Sequence, residues 1–338
     1  MTLKRFCQRA YHLWERIAKE GKALPGRWKA YGPKVALVSF WDGLIPPGKS
    51  RRYIDTVGAW VDRFLAPVVE EFQKETDCHG PAALAMTEED KVTVWCCWWQ
   101  GEAQMPELVR LCHTRLKQVL PREKARLQLI TKDNYRDFAD IPEHIIEKFE
   151  AGRITMATMS DVLRFALLEK HGGWWLDATV FFTGEIPEDY FSGNFYCQRM
   201  VHNTRYSPRE ACRCNWCGFS MAGPKGSPVF RFMGRAFDYW YRHNDGIIDY
   251  VLIDYMLWTG FQYVPAIREI IDAVPDNNED IFEMYQVLNE PYSPDLYAQL
   301  TQRNVMHKLT YKMDLQTRTV EGQLTLYGWL KQQVFGEE

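Results

Sequence analysis

From Tyr53 to about Lys74 apolar residues recur three and four positions apart, at Val57, Trp60, Val61, Phe64, Leu65 and Val68, which is the repeat of one helix face. Lys91 to Trp99, KVTVWCCWW, loses that period and is β-branched and aromatic throughout, so it predicts a buried strand closed by Gln100 and Gly101. Pro106 and Glu107 then open a helix, PELVRLCHTRLKQVL, with proline in the first turn and an acid at its positive end. RLQLIT at 126–131 predicts a second strand, KDN a turn, and IPEHIIEKFEAG a helix that stops at Gly152. A further helix is expected to start at Ser160, with the Ser hydroxyl as its cap and Asp161 beside its positive end. Gly172 and Gly173 end it, and WWLDATVFF follows as a third strand.

Strand, helix, strand, helix, strand predicts a doubly wound α/β sheet. Ligands in such sheets sit beyond the carboxyl ends of strands, where Gln100 and Asp177 fall. Around this frame, VALVSFWDGL (35–44) predicts a short strand, IPPGKSRR a loop and residues 75–90 a linker. Later, a strand is expected over 219–222, a helix from Pro228 to about His243 and another over 249–258. The chain thus divides into a mainly helical N-terminal extension, 1–90, packed on a main domain, 91–338.

Charge changes the picture at one end. The net charge of −3 argues against a nucleic-acid binder. Residues 1–34 nevertheless carry nine Lys/Arg against two Glu, so +7 there leaves −10 for the remainder. Phe6, Ala10, Leu13 and Ile17 lie at helical spacing among these cations. A basic amphipathic segment of this kind either rests on an anionic membrane surface or packs on its own domain. No apolar run reaches the length of a membrane span and no signal-like apolar region is present, so a cytoplasmic protein is expected, with peripheral contact at the inner membrane face if the segment binds lipid. The nine cysteines, an odd number including the adjacent Cys96 and Cys97, are expected to be reduced.

An acid in an otherwise apolar strand carries the chemical question. Ionised and unpaired, Asp177 would cost several kcal/mol, of the order of a domain's whole stability. In one extended strand Trp175, Asp177 and Thr179 would share a face, where the acid and hydroxyl could hold Mn²⁺ or Mg²⁺ with water and phosphate oxygens. The alternative is a buried ion pair with an arginine such as Arg164. Asp249 and Asp254 flank an apolar run; five residues apart on a helix, they would not share a face as a hydrolase's acid pair must. Cys212, Cys214 and Cys217 could hold zinc with Cys197 or His202, but the paired spacing of zinc sites is absent and buried free thiols are expected. The thirteen Trp, seventeen Tyr and eighteen Phe supply surfaces suited to flat bases and sugar rings.

SDVLRFALLEKHGGWWLDATVF closely resembles the Ser-Asp-x-x-Arg…Gly-Gly-x-x-x-Asp signature of capsular polysaccharide synthesis proteins, relatives of glycosyltransferase family 32. VTVWCCWWQG and HKLTYK (307–312) resemble that family's first strand and C-terminal motif, so the similarity spans roughly residues 91–312. The resemblance implies a GT-A fold and transfer of a sugar, with retention, from a nucleotide sugar such as a UDP-sugar to a glycan or lipid-linked acceptor. It implies that Asp161 and Arg164 grip the donor sugar and that Trp98 and Gln100 meet the base. His307 and Lys308 would close over the diphosphate, with Asp254 facing the donor or acceptor. The family's Asp-x-Asp metal motif falls on Asp177, Ala178 and Thr179, so a divalent cation would be held by Asp177, Thr179 and His307 without a second acid. That missing acid also leaves open a non-catalytic nucleotide- or glycan-binding protein on a transferase scaffold.

Overall fold

The structure, a computed structural model, describes residues 3–44, 49–78 and 91–336. Two long helices, α1 (Leu3–Leu44) and α2 (Arg51–Cys78), precede β1 (Val92–Cys97), α3 (Glu107–Val119) and β2 (Ala125–Ile130). The short helices α4 (Tyr135–Phe138) and α5 (Glu143–Glu150) lead to α6 (Met156–His171), β3 (Gly173–Leu176) and β4 (Val180–Phe182). Next come β5 (Tyr196–Cys197), β6 (Ser220–Gly223), α7 (Pro228–His243), α8 (Leu252–Tyr263) and α9 (Pro265–Asp272). The chain closes with α10 (Glu283–Gln286), α11 (Pro294–Thr301), β7 (Met306–Lys308) and α12 (Leu326–Phe335).

Five strands form a mixed sheet in the order β2-β1-β3-β6-β5. β1 runs parallel to β2 and β3, while β6 pairs antiparallel with both β3 and β5. Strand alternation sends each register row to one of two cores. Trp95, Trp175 and Met221 lie in one row and join the cluster built with α6, α7 and α8. Val94, Trp174 and Ala222 form the next row and meet Leu116 and Leu120 at the α3 side. The result is a central sheet flanked by helices, the α/β architecture expected from the alternating pattern.

The glycine pair at 172–173 is what brings helix and strand together. Both residues have positive φ, 68° and 97°, which favours glycine. A Cβ on Gly172 would meet the Lys225 backbone, and one on Gly173 would run into the Thr93 carbonyl of β1. Close approach of β3 to β1 therefore requires Gly173, and Gly172 makes room for the turn that follows β6.

Five local expectations change. VALVSFWDGL is helical, the last part of α1, and Val35, Ala36 and Ser39 bury its inner face. Gly32, at φ 83° and ψ 170°, breaks α1 into two arms, and Arg16 reaches the Leu44 carbonyl across them. The helix expected to begin at Ser160 begins at Met156, because Thr155 Oγ1 accepts from Thr158 N and takes the capping role. The third strand is not continuous: Val180 N bonds Asp177 O in a turn, and the chain leaves for a separate antiparallel pair, β4 with β7. Asp177 and Thr179 are thus turn residues and no strand alternation relates them. The last predicted helix begins three residues late, at Leu252, and runs on to Tyr263. Residues 75–78 of the expected linker continue α2, and 79–90 lie outside the described residues, as do 45–48 of the expected loop.

Candidate active site

Asp177 follows the carboxyl end of β3, next to the carboxyl end of its parallel neighbour β1, and its own N–H is anchored by the Phe219 carbonyl at 2.9 Å. On α6, the helix that leads into β3, Asp161 and Arg164 sit three apart and share a face. Arg164 is 4% exposed and spreads its donors over both acids: Nη1 to Asp161 Oδ1 at 2.9 Å, Nη2 to Asp177 Oδ1 at 3.4 Å. Its guanidinium lies 5.1 Å from the centre of the Trp175 ring, and its buried Nε has no hydrogen-bond partner. Trp175 Nε1 donates to the same Asp177 Oδ1 at 2.9 Å, and Lys308 Nζ donates to Oδ2 at 2.7 Å. The acid that seemed costly in the sequence is compensated twice, by Arg164 and by Lys308.

Further groups beside these acids come from later in the chain. Trp216 Nε1 donates to Asp254 Oδ1 on α8 at 2.9 Å, Gly218 lets the Arg164 guanidinium approach the backbone, and Phe219 lies 4.9 Å beneath the Lys308 ammonium. Two consecutive non-glycine residues in that loop, Arg213 and Cys214, hold positive φ of 49° and 57°. Strain of this sort costs about 1–3 kcal/mol per residue and concentrates at working sites. Trp216 and Phe219 reach the site through the pairing of β6 with β3, which no local sequence pattern marks.

The carboxyls divide by environment. Burial pushes Asp161 up to about 6 and Asp177 adds to the rise, while Arg164 opposes it. Burial also pushes Asp254 up to about 7, with Glu210 and Asp161 adding and the Trp216 hydrogen bond subtracting. Desolvation acts upward on Asp177 as well, but Lys308 and Arg164 outweigh it and hold that acid below its ordinary value. Asp177 is therefore held towards its ionised form, whereas burial holds Asp161 and Asp254 towards the protonated form. Asp161 and Asp177 keep 21% and 29% of their side chains open, so the site is reached from solvent.

The other expected residues separate. Trp98, just past β1, sets its ring edge-on to Tyr311 with centroids 5.6 Å apart, and Gln100 lies exposed in the following turn. Trp95 and Trp99 are packing residues: Trp95 donates to the Gly172 carbonyl, and Trp99 packs on Tyr135 and Phe149. His307 is not at the site. Lys308 points to Asp177, so its neighbour on β7 points to the opposite face, where His307 Nε2 lies 3.3 Å from Thr183 Oγ1. Burial lowers His307 to about 4 and keeps it neutral. Asp249 is bound by Lys49 and by Tyr53 Oη, tying α2 to the loop before α8.

A divalent cation does not fit this donor set. Both Asp177 oxygens accept from cationic or N–H donors, and His307 faces away. Among the described residues, no three His, Cys, Asp or Glu side chains gather as a metal site. That covers Cys212, Cys214 and Cys217, which are buried free thiols; desolvation raises all three above the ordinary thiol value. Also among the described residues, no helix is long and apolar enough to cross a membrane.

A solved PaToxG glycosyltransferase is similar over 74% of this chain and 95% of its own, at 11% identity and a TM-score of 0.33. No curated protein matches. The family model for capsular polysaccharide synthesis protein matches residues 58–327, from within α2 to the start of α12 and across every element of the recess, so this chain belongs to the capsular polysaccharide synthesis protein family.

Proposed function

We propose that the chain is a glycosyltransferase of the GT-A type, related to family 32, that moves a sugar from a nucleotide sugar to a glycan or lipid-linked acceptor. The observation that carries this reading is the convergence of Asp161, Arg164, Asp177 and Lys308 at the carboxyl ends of parallel β1 and β3. Two cations held beside two carboxyls, Asp161 and Asp177, suit an anionic leaving group attached to a polyhydroxylated ring.

In this reading Lys308 and Arg164 stabilise the charge that develops on the departing nucleotide diphosphate. Asp161 accepts from donor-sugar hydroxyls and is held for that task by Arg164. Attack by the acceptor on the leaving-group face retains the anomeric configuration, with a diphosphate oxygen taking the acceptor's proton. Asp254, raised to about 7 by burial, would bond a sugar hydroxyl in either protonation state. Trp98 and Tyr311 offer ring faces to the base. No step requires a metal ion.

The test is incubation of the purified protein with a panel of nucleotide sugars and oligosaccharide acceptors, measuring free nucleotide diphosphate. Turnover of one donor, lost in Arg164→Met, is expected. Donor binding without turnover under any acceptor would make the chain a binding protein on a transferase scaffold, and neither binding nor turnover would remove the reading.

A further inference from the structure

We infer that the two arms of α1 form a docking hairpin for an anionic phospholipid surface, a property separate from the chemistry of the recess. The hairpin is built by sequence. Gly32 reverses the chain, Arg16 bonds the Leu44 carbonyl, and Glu20, 7% exposed and paired with Arg27, lies against Gly43. Val35 and Ala36 of the second arm are buried in the main body, and Tyr31 at the hinge packs on Trp60 and Trp240. This fixes the hairpin to the protein through its hinge and second arm.

The first arm's outer surface is apolar where a solvated helix would be polar. Leu13, Trp14, Ile17 and Trp28 are 46%, 66%, 43% and 50% exposed. At 100° per residue they fall within about 100° of one another, beside the face that carries Glu20 and Arg27. The second arm adds Leu37 and Trp41, one turn apart on the side away from buried Val35 and Ala36. Six exposed large apolar side chains on one hairpin exceed what scattered surface residues explain.

Charge chooses the occupant. Arg16, Lys19, Lys22, Lys29 and Lys34 lie along the same segment, whose sequence balance is +7 in a chain that is otherwise −10. Tryptophan favours the boundary between headgroup and acyl chain, and each basic residue near an anionic leaflet adds attraction that salt screens. A second copy of this chain would bring the same positive charge to the contact and is disfavoured for that reason. Since no described helix can span a bilayer, the hairpin lies on the surface.

The full-length protein is to be floated with vesicles of phosphatidylcholine alone and of phosphatidylcholine mixed with phosphatidylglycerol. Binding to the mixed vesicles only, weakened by added salt, is expected. Trp14→Ser with Trp28→Ser should reduce it about tenfold or more, and Lys19→Glu with Lys22→Glu should do the same. Both pairs are on the exposed surface, so unchanged circular dichroism and unchanged nucleotide-sugar turnover in solution are expected. Absence of flotation, equal flotation of the variants, or a wild-type dimer in sedimentation that the tryptophan pair dissolves without any lipid binding would each overturn the inference.

Discussion

Lys308 Nζ lies 2.7 Å from Asp177 Oδ2, although 131 positions separate the two residues in sequence. The contact closes the recess from the C-terminal side and places a fixed cation on the acid that family resemblance assigns to a metal. Removing either partner has a definite sign. Lys308→Ala should lower kcat/KM for the nucleotide sugar about 100-fold, the usual loss when one electrostatic stabiliser of a developing anion is removed. Asp177→Asn should do at least as much, since Arg164 and Lys308 then lose their shared counter-charge. Stability should fall by about 1–3 kcal/mol in each, because the pair is only partly screened by solvent. Wild-type turnover in a destabilised variant would reduce the contact to a structural ion pair.

Metal dependence follows from the same geometry. With both Asp177 oxygens engaged and His307 on the far face, chelation should leave most of the turnover in place. Steady-state assays with excess EDTA, then with Mn²⁺ or Mg²⁺ restored, decide this. Strict dependence on added cation would mean that Lys308 yields its place on Asp177 when donor binds.

Asp254 supplies a pH prediction. Unfolded, its carboxyl loses its proton at the ordinary aspartate value; folded, burial holds that proton until about 7. Between those values the folded chain binds more protons, so this group's contribution to stability is full in acid and is lost as pH rises towards 7. Asp161, raised to about 6, acts in the same direction over a narrower window. Asp254→Asn keeps an acceptor for Trp216 Nε1 and removes the buried charge. It should match wild type near pH 4 and exceed it by about 1–3 kcal/mol near pH 8, while losing turnover. Thermal melts across this range that run parallel for the two proteins would show that the carboxyl is not held protonated.

Gly173 tests why the helix and strand meet where they do. At φ 97°, with Thr93 O in the space of a Cβ, Gly173→Ala must both strain its backbone and push β3 from β1. A loss of about 2–4 kcal/mol is expected from denaturant titration. Gly101→Ala, also at positive φ but with open space around it, should cost less, and equal losses would show that backbone strain alone decides.

Much of this site was legible because its parts are local in sequence. Asp161, Arg164, the glycine pair and Asp177 occupy seventeen consecutive residues, and helix, reversal and strand there follow from periodicity and glycine alone. What periodicity does not carry is which distant segment completes the recess. Trp216, Phe219 and Tyr311 arrive through tertiary pairing, β6 against β3 and β7 against β4, and no short-range pattern marks them. Misreading VALVSFWDGL as a strand has a similar origin: a β-branched, aromatic run of ten residues fits a strand or a buried helix, and packing on α2 decides for helix. His307 and Lys308 are neighbours on β7, and strand alternation gives the face of Asp177 to Lys308.

The Trp98–Tyr311 pair supplies the last prediction. Trp98 follows the end of β1 and Tyr311 stands three residues past Lys308, so the two rings meet edge-on close to the recess, with Tyr311 42% exposed. Trp98 Nε1 is committed to the Gln104 carbonyl at 3.2 Å, which fixes that ring and leaves Tyr311 as the ring better able to turn. If the base stacks here, Trp98→Ala and Tyr311→Ala should each raise KM for the nucleotide sugar about tenfold or more, the worth of one stacking contact, with a smaller change in kcat. Tyr311→Phe should behave as wild type, because stacking needs the ring and not the hydroxyl. An unchanged KM with a reduced kcat in the alanine variants would place the base elsewhere and make the pair a support for Lys308.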